Sequence, residues 1–219
     1  MNSRLLPCGE RAVLVELDDL SQVLALEAAV RILLERNEGP WAAVVDAVPA
    51  ARTLLLKVRH AGALAALTAA LPSLLSAIRY AGASGSERPP SADTTTIAVH
   101  YDGPDLGEVA ALTGLSTREV VQAHTRTPWR VGFVGFAPGF AYLVDGDRRL
   151  EVPRRAEPRT AVPPGSVGLA GPFSGVYPRT SPGGWQLIGR TDAVLWDTDR
   201  QPPALLQPGS WVRFVAVED

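Results

Sequence analysis

Apolar residues in the first eighty positions alternate between strand-like and helix-like spacing. Strands are expected at residues 4–7, 12–17, 41–48 and 52–58, where short β-branched or alternating runs occur. Two helices are expected at residues 20–36 and 64–78, where large apolar residues recur every three or four positions. Pro72 is expected to kink or restart the second helix. This order predicts a small α+β domain over residues 1–80, with its helices on one face of an antiparallel sheet.

Residues 81–94 have a different pattern, because they are small, polar and rich in proline. Such a composition is typical of a linker and predicts a domain boundary near residue 90. Two short helices are expected beyond it, at residues 105–113 and 116–125. Ser116 and Glu119 have the spacing of a capping box at the start of the second of these helices.

The rest of the chain alternates short apolar runs with glycine and proline. The strands expected there are residues 95–101, 129–136, 140–144, 166–170, 186–189, 193–196 and 211–217. Many short strands at regular spacing favour a closed or nearly closed β-barrel, here over residues 95–219.

Composition restricts the class of partner and the compartment. The 219 residues have a formal net charge of -2 and a pI near 5.9, which gives no sequence-wide attraction to nucleic acid or to an anionic membrane. Cys8 is the only cysteine, so no internal disulfide forms. The N-terminal charges do not fit a secretory signal, and we expect a cytoplasmic protein. Residues 61–78 are uncharged, but their leucine stripe favours a helix that lies on a sheet over one that crosses a membrane.

Several common catalytic motifs are absent from the sequence. It contains no GxxxxGK[ST] phosphate loop, no HExxH, no CxxC pair and no GxSxG. These absences argue against a self-sufficient ATPase or zinc enzyme, and we predict no metal site.

Candidate chemistry is concentrated in residues 131–191, where glycine, proline, arginine and aromatic residues are dense. Arg154, Arg155 and Arg159 form the pattern P-R-R-x-x-P-R, in which Arg154 and Arg159 each follow a proline. Such arginines can direct two guanidinium groups at one carboxylate or phosphate. The alternative is a loop whose arginines pair with nearby acids, for which the sequence offers Asp145, Asp147, Glu151 and Glu157.

The segment Ser-Pro-Gly-Gly-Trp at residues 181–185 predicts a turn whose N–H groups bind an anion, or else a plain tight turn. Arg190 and Thr191 end the following strand and are candidates to face the same space. Tyr142 and Tyr177 supply hydroxyl groups, while Phe136 and Phe140 flank Pro138 and Gly139 and are typical of core packing. His124 ends a predicted helix, where it is either a helix cap or a catalytic group.

These motifs resemble a known family. The runs GFVGFAPGFAYL (132–143), PRR (153–155), PR (158–159), VPPGSVG (162–168), GVYP (175–178) and SPGGWQLIGRT (181–191) are similar to the family of 5-oxoprolinase B subunits, also called allophanate hydrolase subunit 1 or KipI-like proteins. The resemblance extends over essentially the whole chain. It implies an α+β N-terminal domain followed by a mainly-β, cyclophilin-like barrel domain.

The resemblance also implies a role. The chain is expected to be one component of a complex, inactive alone, that works with a larger C subunit and an A subunit to open 5-oxoproline to glutamate at the expense of ATP. ATP is expected in the complex, with a partner subunit as one possible holder, and this chain carries no biotin-attachment segment. Catalytic roles are assigned to His124, Arg154 and Arg190. Substrate binding is assigned to Phe136, Pro138, Gly139, Tyr142, Arg155, Arg159, Ser166, Tyr177, Pro182, Gly183, Gly184, Trp185 and Thr191.

Phe173 departs from the family pattern, in which a glutamine is usual, and this leaves the substrate open. One alternative is a KipI-like regulator that binds and inhibits a sensor histidine kinase through exposed apolar residues such as Phe173 and Trp185. Another is one half of a carboxyltransferase of the urea-carboxylase or allophanate-hydrolase type.

Overall fold

The computed structural model describes residues 2–81 and 94–217, which divide into two compact units, Met1–Arg88 and Pro89–Asp219. The boundary predicted at residues 81–94 lies almost wholly outside the described residues, so it stays a prediction. The helices are α1 (Leu20–Arg36), α2 (Leu64–Ala81), α3 (Leu106–Thr113) and α4 (Thr117–Arg126). The strands are β1 (Arg4–Pro7), β2 (Ala12–Glu16), β3 (Val44–Pro49), β4 (Thr53–Val58), β5 (Thr94–Val99), β6 (Trp129–Val134), β7 (Ala141–Val144), β8 (Arg159–Val162), β9 (Ser166–Ala170), β10 (Phe173–Val176), β11 (Ser181–Gly183), β12 (Gln186–Arg190) and β13 (Trp211–Ala216).

The first unit is an antiparallel sheet with strand order β1-β2-β4-β3. Both helices pack apolar side chains into one core with the sheet, including Leu26 of α1 and Leu67 of α2 against Leu56. Helix α1 is capped at both ends. At its start the Asp19 carboxylate accepts from the Gln22 N–H (3.0 Å), and at its end Asn37 adopts the left-handed conformation.

Helix α2 runs without interruption through Pro72, so of the two outcomes predicted at this proline the restart is wrong, while the kink stays a prediction. Its buried leucines, Leu67, Leu71 and Leu75, hold the helix on the sheet on both sides of the proline. Within residues 2–81 and 94–217, a single helical stretch, Ala61–Arg79, is long and apolar enough to cross a membrane. Its leucine stripe is packed inside the unit, as the sequence predicts.

The second unit is built on a seven-stranded sheet with order β12-β9-β10-β7-β6-β13-β5. β5 and β13 are parallel and the other pairs are antiparallel. The chain after β5 returns to the far edge, where His100 and Arg190 exchange backbone hydrogen bonds of 2.9 Å and the Asp105 N–H donates to the Leu187 carbonyl (2.9 Å). The result is a nearly closed, barrel-like sheet with α3 and α4 packed against its core. The predicted capping box of α4 is confirmed.

Several elements differ from the prediction. Trp41 lies in a 3-10 turn (Gly39–Ala43) ahead of β3, and residues 193–196 form no strand beyond a bridge from Trp196 to Ala204. Strands β8, β10 and β11 were not expected. Each is only three or four residues long and is interrupted or flanked by glycine or proline, so the alternation that marks a strand is missing.

Candidate functional site

A cluster of aromatic rings surrounds Phe140. Edge-on to it lie the rings of Phe136 (5.3 Å between centroids), Tyr142 (5.0 Å), Tyr177 (5.4 Å) and Trp185 (5.4 Å). The structure thus brings together four of the residues predicted to bind substrate. Phe140, Tyr177 and Trp185 are buried, whereas Phe136 is 56% exposed. Packing accounts for the buried rings, and Phe136 is the most exposed member of the cluster.

Phe136 lies in a tight loop between β6 and β7. Its φ of 66° is in the left-handed region, which a bulky side chain rarely adopts, so the loop stores strain at an exposed aromatic residue. With Pro138 and Gly139 it lines a cleft of about 390 Å³, which Trp196 and Leu206 also line. Three predicted binding residues therefore share one mainly apolar cleft.

Two of the three candidate arginines converge on one buried carboxylate. Asp105 Oδ1 accepts from Arg155 Nη1 and from Arg159 Nη2, both at 2.7 Å. Asp105 Oδ2 accepts from the backbone N–H of Leu187, also at 2.7 Å. The acid that holds these arginines is therefore Asp105, and not one of the four acids that the sequence offered; Asp147, for example, pairs with Arg149.

The pKa of Asp105 is set by its burial and by its hydrogen-bond partners, which act in opposite directions. Burial by itself raises the pKa of Asp105, but the hydrogen bonds from Arg159 and Leu187 and the charges of Arg159 and Arg155 outweigh it. The net result is a pKa below the ordinary value, and the carboxylate is ionised at neutral pH. A buried, ionised and fully hydrogen-bonded carboxylate fixes the two guanidinium groups.

Arg154 has different surroundings. Its side chain is exposed, and no carboxylate of the described residues lies within ion-pair distance of it. Burial raises the pKa of Tyr177, while a backbone hydrogen bond from Trp185 and the charges of Arg154 and Arg159 offset part of this effect. The Tyr177 phenol is therefore protonated at neutral pH. Arg154 lies near enough to Tyr177 for its charge to act on the pKa of the phenol.

The turn predicted at residues 181–185 is wrong for Ser181–Gly183, which forms β11, paired with β8. Only Gly184 and Trp185 connect this strand to β12. Gly183 lies opposite Arg159, and Gly184 O accepts from Arg155 N (2.8 Å). A Cβ on Gly183 would collide with the Tyr177 hydroxyl. These glycines bring the backbone close to Tyr177 and to the arginine loop. Among the described residues, neither has the positive φ of an anion-binding nest.

Ser166, Tyr177 and Thr191 meet around the backbone of Gly165. Gly165 N donates to Tyr177 O (2.7 Å), Tyr177 N to Ser166 O (2.9 Å) and Thr191 N to Gly165 O (2.9 Å). Gly165 has a φ of 78°, and a Cβ there would strike the Thr191 carbonyl. Ser166 and Thr191 are both buried, so the structure gives them a part in holding the loops together.

His124 lies in the barrel core with no solvent exposure. Nδ1 is 2.7 Å from the Tyr101 hydroxyl, Nε2 is 2.8 Å from Ser174 Oγ, and the ring stacks on Phe214 with 4.3 Å between centroids. Desolvation lowers its pKa to about 3. The imidazole is therefore neutral, and the alternative of a charged helix cap is wrong. The structure does not bring His124 into contact with the candidate arginines.

Arg190 is the last residue of β12, and its backbone pairs with that of His100 where the sheet nearly closes. Its Nε donates to Asp102 Oδ2 at 2.8 Å, and both side chains are about half exposed. This contact ties the last residue of β12 to the loop that follows His100.

Sequence reasoning missed Asp105, Asp102, Gln186 and Trp196. Asp105 is the first residue of a predicted helix, where a capping role is the ordinary interpretation, but its side chain does not cap α3. Nothing in the sequence links it to arginines fifty residues away. Over the described part of the chain, no group of three His, Cys, Asp or Glu side chains is arranged to hold a metal ion.

Comparison with known proteins places this fold. A family model described as carboxyltransferase domain, subdomain C and D, matches residues 3–206. The structure of TTHA0988 superposes with a TM-score of 0.70 and 34% identity over 95% of this chain, which spans only 41% of the TTHA0988 chain. The Kluyveromyces lactis urea amidolyase shares the fold at 19% identity, with a TM-score of 0.69 over 98% of this chain and 15% of its own. The chain thus has the fold of the family described as carboxyltransferase domain, subdomain C and D.

Relatives found by sequence identify the family more closely than the fold does. The B subunit of 5-oxoprolinase from Escherichia coli O157:H7 is 40% identical over 209 residues, which are 94% of this chain and 93% of that protein. The protein of the same name from Bacillus subtilis (strain 168) is 47% identical over 117 residues, about half of each chain. The chain belongs to the family of 5-oxoprolinase B subunits.

Proposed function

We propose that this chain is one component of an ATP-dependent 5-oxoprolinase, inactive alone, which contributes part of a site shared with a C subunit. The observation that carries the proposal is the match over 93% of the length of the Escherichia coli relative. The second unit is interpreted as a cyclophilin-like barrel. The name of that relative describes a subunit, and TTHA0988 carries the same fold within a longer chain; both support a partner.

The reaction explains why arginines are needed. A lactam carbonyl is a poor electrophile, and transfer of the ATP γ-phosphoryl group to its oxygen, with release of ADP, makes the ring carbon reactive. One water then opens the C–N bond and a second releases phosphate, which gives glutamate. Negative charge is present on the substrate carboxylate and on the phosphoryl group, and guanidinium groups stabilise both.

In this proposal Arg154 binds a substrate anion directly, since it is exposed and has no acidic partner among the described residues. Arg155 and Arg159 lie beside it in the same loop, and the Tyr177 hydroxyl is a protonated donor nearby. ATP is bound within the complex, and this chain carries no biotin. The cytoplasm is the proposed location.

The kinase-inhibitor alternative is not supported by the two residues that the sequence suggested for it. Trp185 is buried at 4% exposure, and Phe173 packs edge-on against Phe133 and Tyr142. Neither residue is the exposed apolar anchor that a kinase would require.

The test is reconstitution. The purified chain is mixed with its A and C subunits, ATP and 5-oxoproline, and glutamate and ADP are measured. We expect no glutamate from the chain alone and equimolar glutamate and ADP from the complex. A well-folded complex without turnover would contradict the proposal.

A further inference from the structure

The Asp105 carboxylate lies beneath the arginine pair. Its side chain is 4% exposed, whereas the side chains of Arg155 and Arg159 are 28% and 22% exposed. All three of its hydrogen bonds, from two guanidinium groups and the Leu187 N–H, are 2.7 Å long. The carboxylate is therefore sequestered, while each arginine side chain keeps some contact with solvent.

The charges of this group do not cancel. Two guanidinium groups share one oxygen of one carboxylate. Glu108 comes within 3.8 Å of Arg155, but it is 55% exposed and is screened by water. The pair retains a positive charge of about one, which matches a ligand with a single negative charge.

Hydrogen-bonding capacity also remains. Arg155 Nε and Arg159 Nη1 are buried donors, and Gln186 Oε1 is a buried acceptor, with no hydrogen-bond partner among the described residues. Gln186 is 1% exposed and directly precedes Leu187, whose N–H binds Asp105. Buried polar atoms are normally satisfied, so the two unpaired donors of the arginines that hold Asp105 indicate a polar ligand or bridging water.

We propose that Asp105 is a positioning residue: it holds Arg155 and Arg159 side by side so that the pair binds a monocarboxylate ligand, without touching that ligand itself. The inference rests on the proposed function, in which the ligand is 5-oxoproline. In this arrangement Arg154 contacts the ligand from the exposed side of the loop. Arg155 and Arg159 bind the carboxylate of the ligand from the buried side.

A positioning role and a merely neutralising role predict opposite effects for Asp105→Asn. The asparagine removes a negative charge beside the arginines. If Asp105 only neutralised them, an anionic ligand would bind more tightly. If it positions them, the guanidinium groups lose their common anchor and the ligand binds more weakly.

The experiment compares wild type, Asp105→Asn, Asp105→Glu and Glu108→Gln in the assembled complex. We expect Asp105→Asn to raise the KM for 5-oxoproline at least tenfold with the KM for ATP unchanged, and Asp105→Glu to give an intermediate KM. Glu108→Gln is the matched control, since it removes an exposed charge near the same arginine; its KM is expected to stay within twofold of wild type. An unchanged or lowered KM in Asp105→Asn overturns the inference. If that variant does not fold, a wild-type KM in folded Asp105→Glu overturns it.

A second readout separates this inference from the proposed function. In the full chain alone, the Nε–Hε NMR signals of Arg155 and Arg159, assigned with Arg155→Lys and Arg159→Lys, report whether each guanidinium is held. We expect two dispersed signals in wild type that collapse in Asp105→Asn and persist in Glu108→Gln. Signals that persist in Asp105→Asn overturn the positioning role even if the complex is active. Absence of turnover by the wild-type complex counts against the proposed function alone.

Discussion

Arg154 and Arg159 each follow a proline in the same loop, but they have different surroundings. Arg159 donates to the buried Asp105, whereas Arg154 is exposed and has no acidic partner among the described residues. Arg159→Ala is therefore expected to lower the free energy of unfolding by about 1–3 kcal/mol, because it removes a hydrogen bond to a charged group.

Arg154→Ala is expected to change stability by less than about 0.5 kcal/mol and to reduce turnover of the complex. Urea unfolding of both variants, paired with glutamate assays, checks the contrast. Equal losses of stability would mean that the two arginines are not distinguished as described.

His124 makes stability depend on pH. Its pKa in the folded protein is about 3, far below the unfolded value of about 6.5, because burial excludes the charged form. The stabilisation is complete above pH 6.5 and is lost as the pH falls toward 3, since only the unfolded chain takes up the proton there.

Between pH 7.5 and pH 5.5 this one group is expected to lower the free energy of unfolding by about 1.4 kcal/mol. His124→Gln is expected to lack that component, although it is less stable at both values. Urea unfolding at the two pH values measures the difference. If wild type and variant have the same pH dependence, His124 is not buried in the neutral form.

For single residues, the sequence indicates which residue types matter better than it indicates which other side chains they contact. The prolines and arginines of residues 153–159 identify a loop that presents cations. Their acid, Asp105, lies fifty residues earlier and arrives only because the barrel closes between residue 105 and Leu187. His124 looks like a helix-end cap in the sequence, and only the packing of Phe214 and Trp129 shows that it is core.

Among the elements, the pair β8 and β11 joins the arginine loop to the aromatic cluster. Gly183 in β11 lies against the Tyr177 hydroxyl, so Gly183→Ala forces Tyr177 or the strand to move. We expect a loss of about 1–3 kcal/mol in the free energy of unfolding, as for overpacking.

Gly107→Ala is the matched control for this change, because its Cβ would meet nothing within 4 Å and its site lies inside α3. We expect it to be neutral or slightly stabilising. Thermal unfolding of both variants checks the pair. A Gly183→Ala variant as stable as wild type would show that β11 does not pack tightly on Tyr177.

The predictability of each element follows from the strength of its local signal. Helix α1 carries an apolar period and an Asp19 cap, and its predicted bounds match the structure. Strand β11 consists of Ser-Pro-Gly, which is typical of a turn in isolation and becomes a strand only through its pairing with β8. The candidate site depends on elements of the second kind, which explains why its geometry could not be predicted from the sequence.

The whole molecule is a mixed α/β protein of the family of 5-oxoprolinase B subunits. TTHA0988 shows that the same fold also occurs as less than half of a longer chain. The loops that carry Arg154 and Phe136 expose a strained aromatic residue and a cation without an acid among the described residues. Such a surface supports the proposal that this chain contributes one half of a shared site.

That claim is tested most directly by titrating the chain into fixed amounts of the A and C subunits with ATP and 5-oxoproline, and measuring the rate of glutamate formation. We expect a rate that rises with added chain and then saturates. A folded Arg154→Ala chain is expected to assemble with its partners but to support a rate at least tenfold lower. A rate that does not depend on the chain, or an Arg154→Ala chain as effective as wild type, would contradict it.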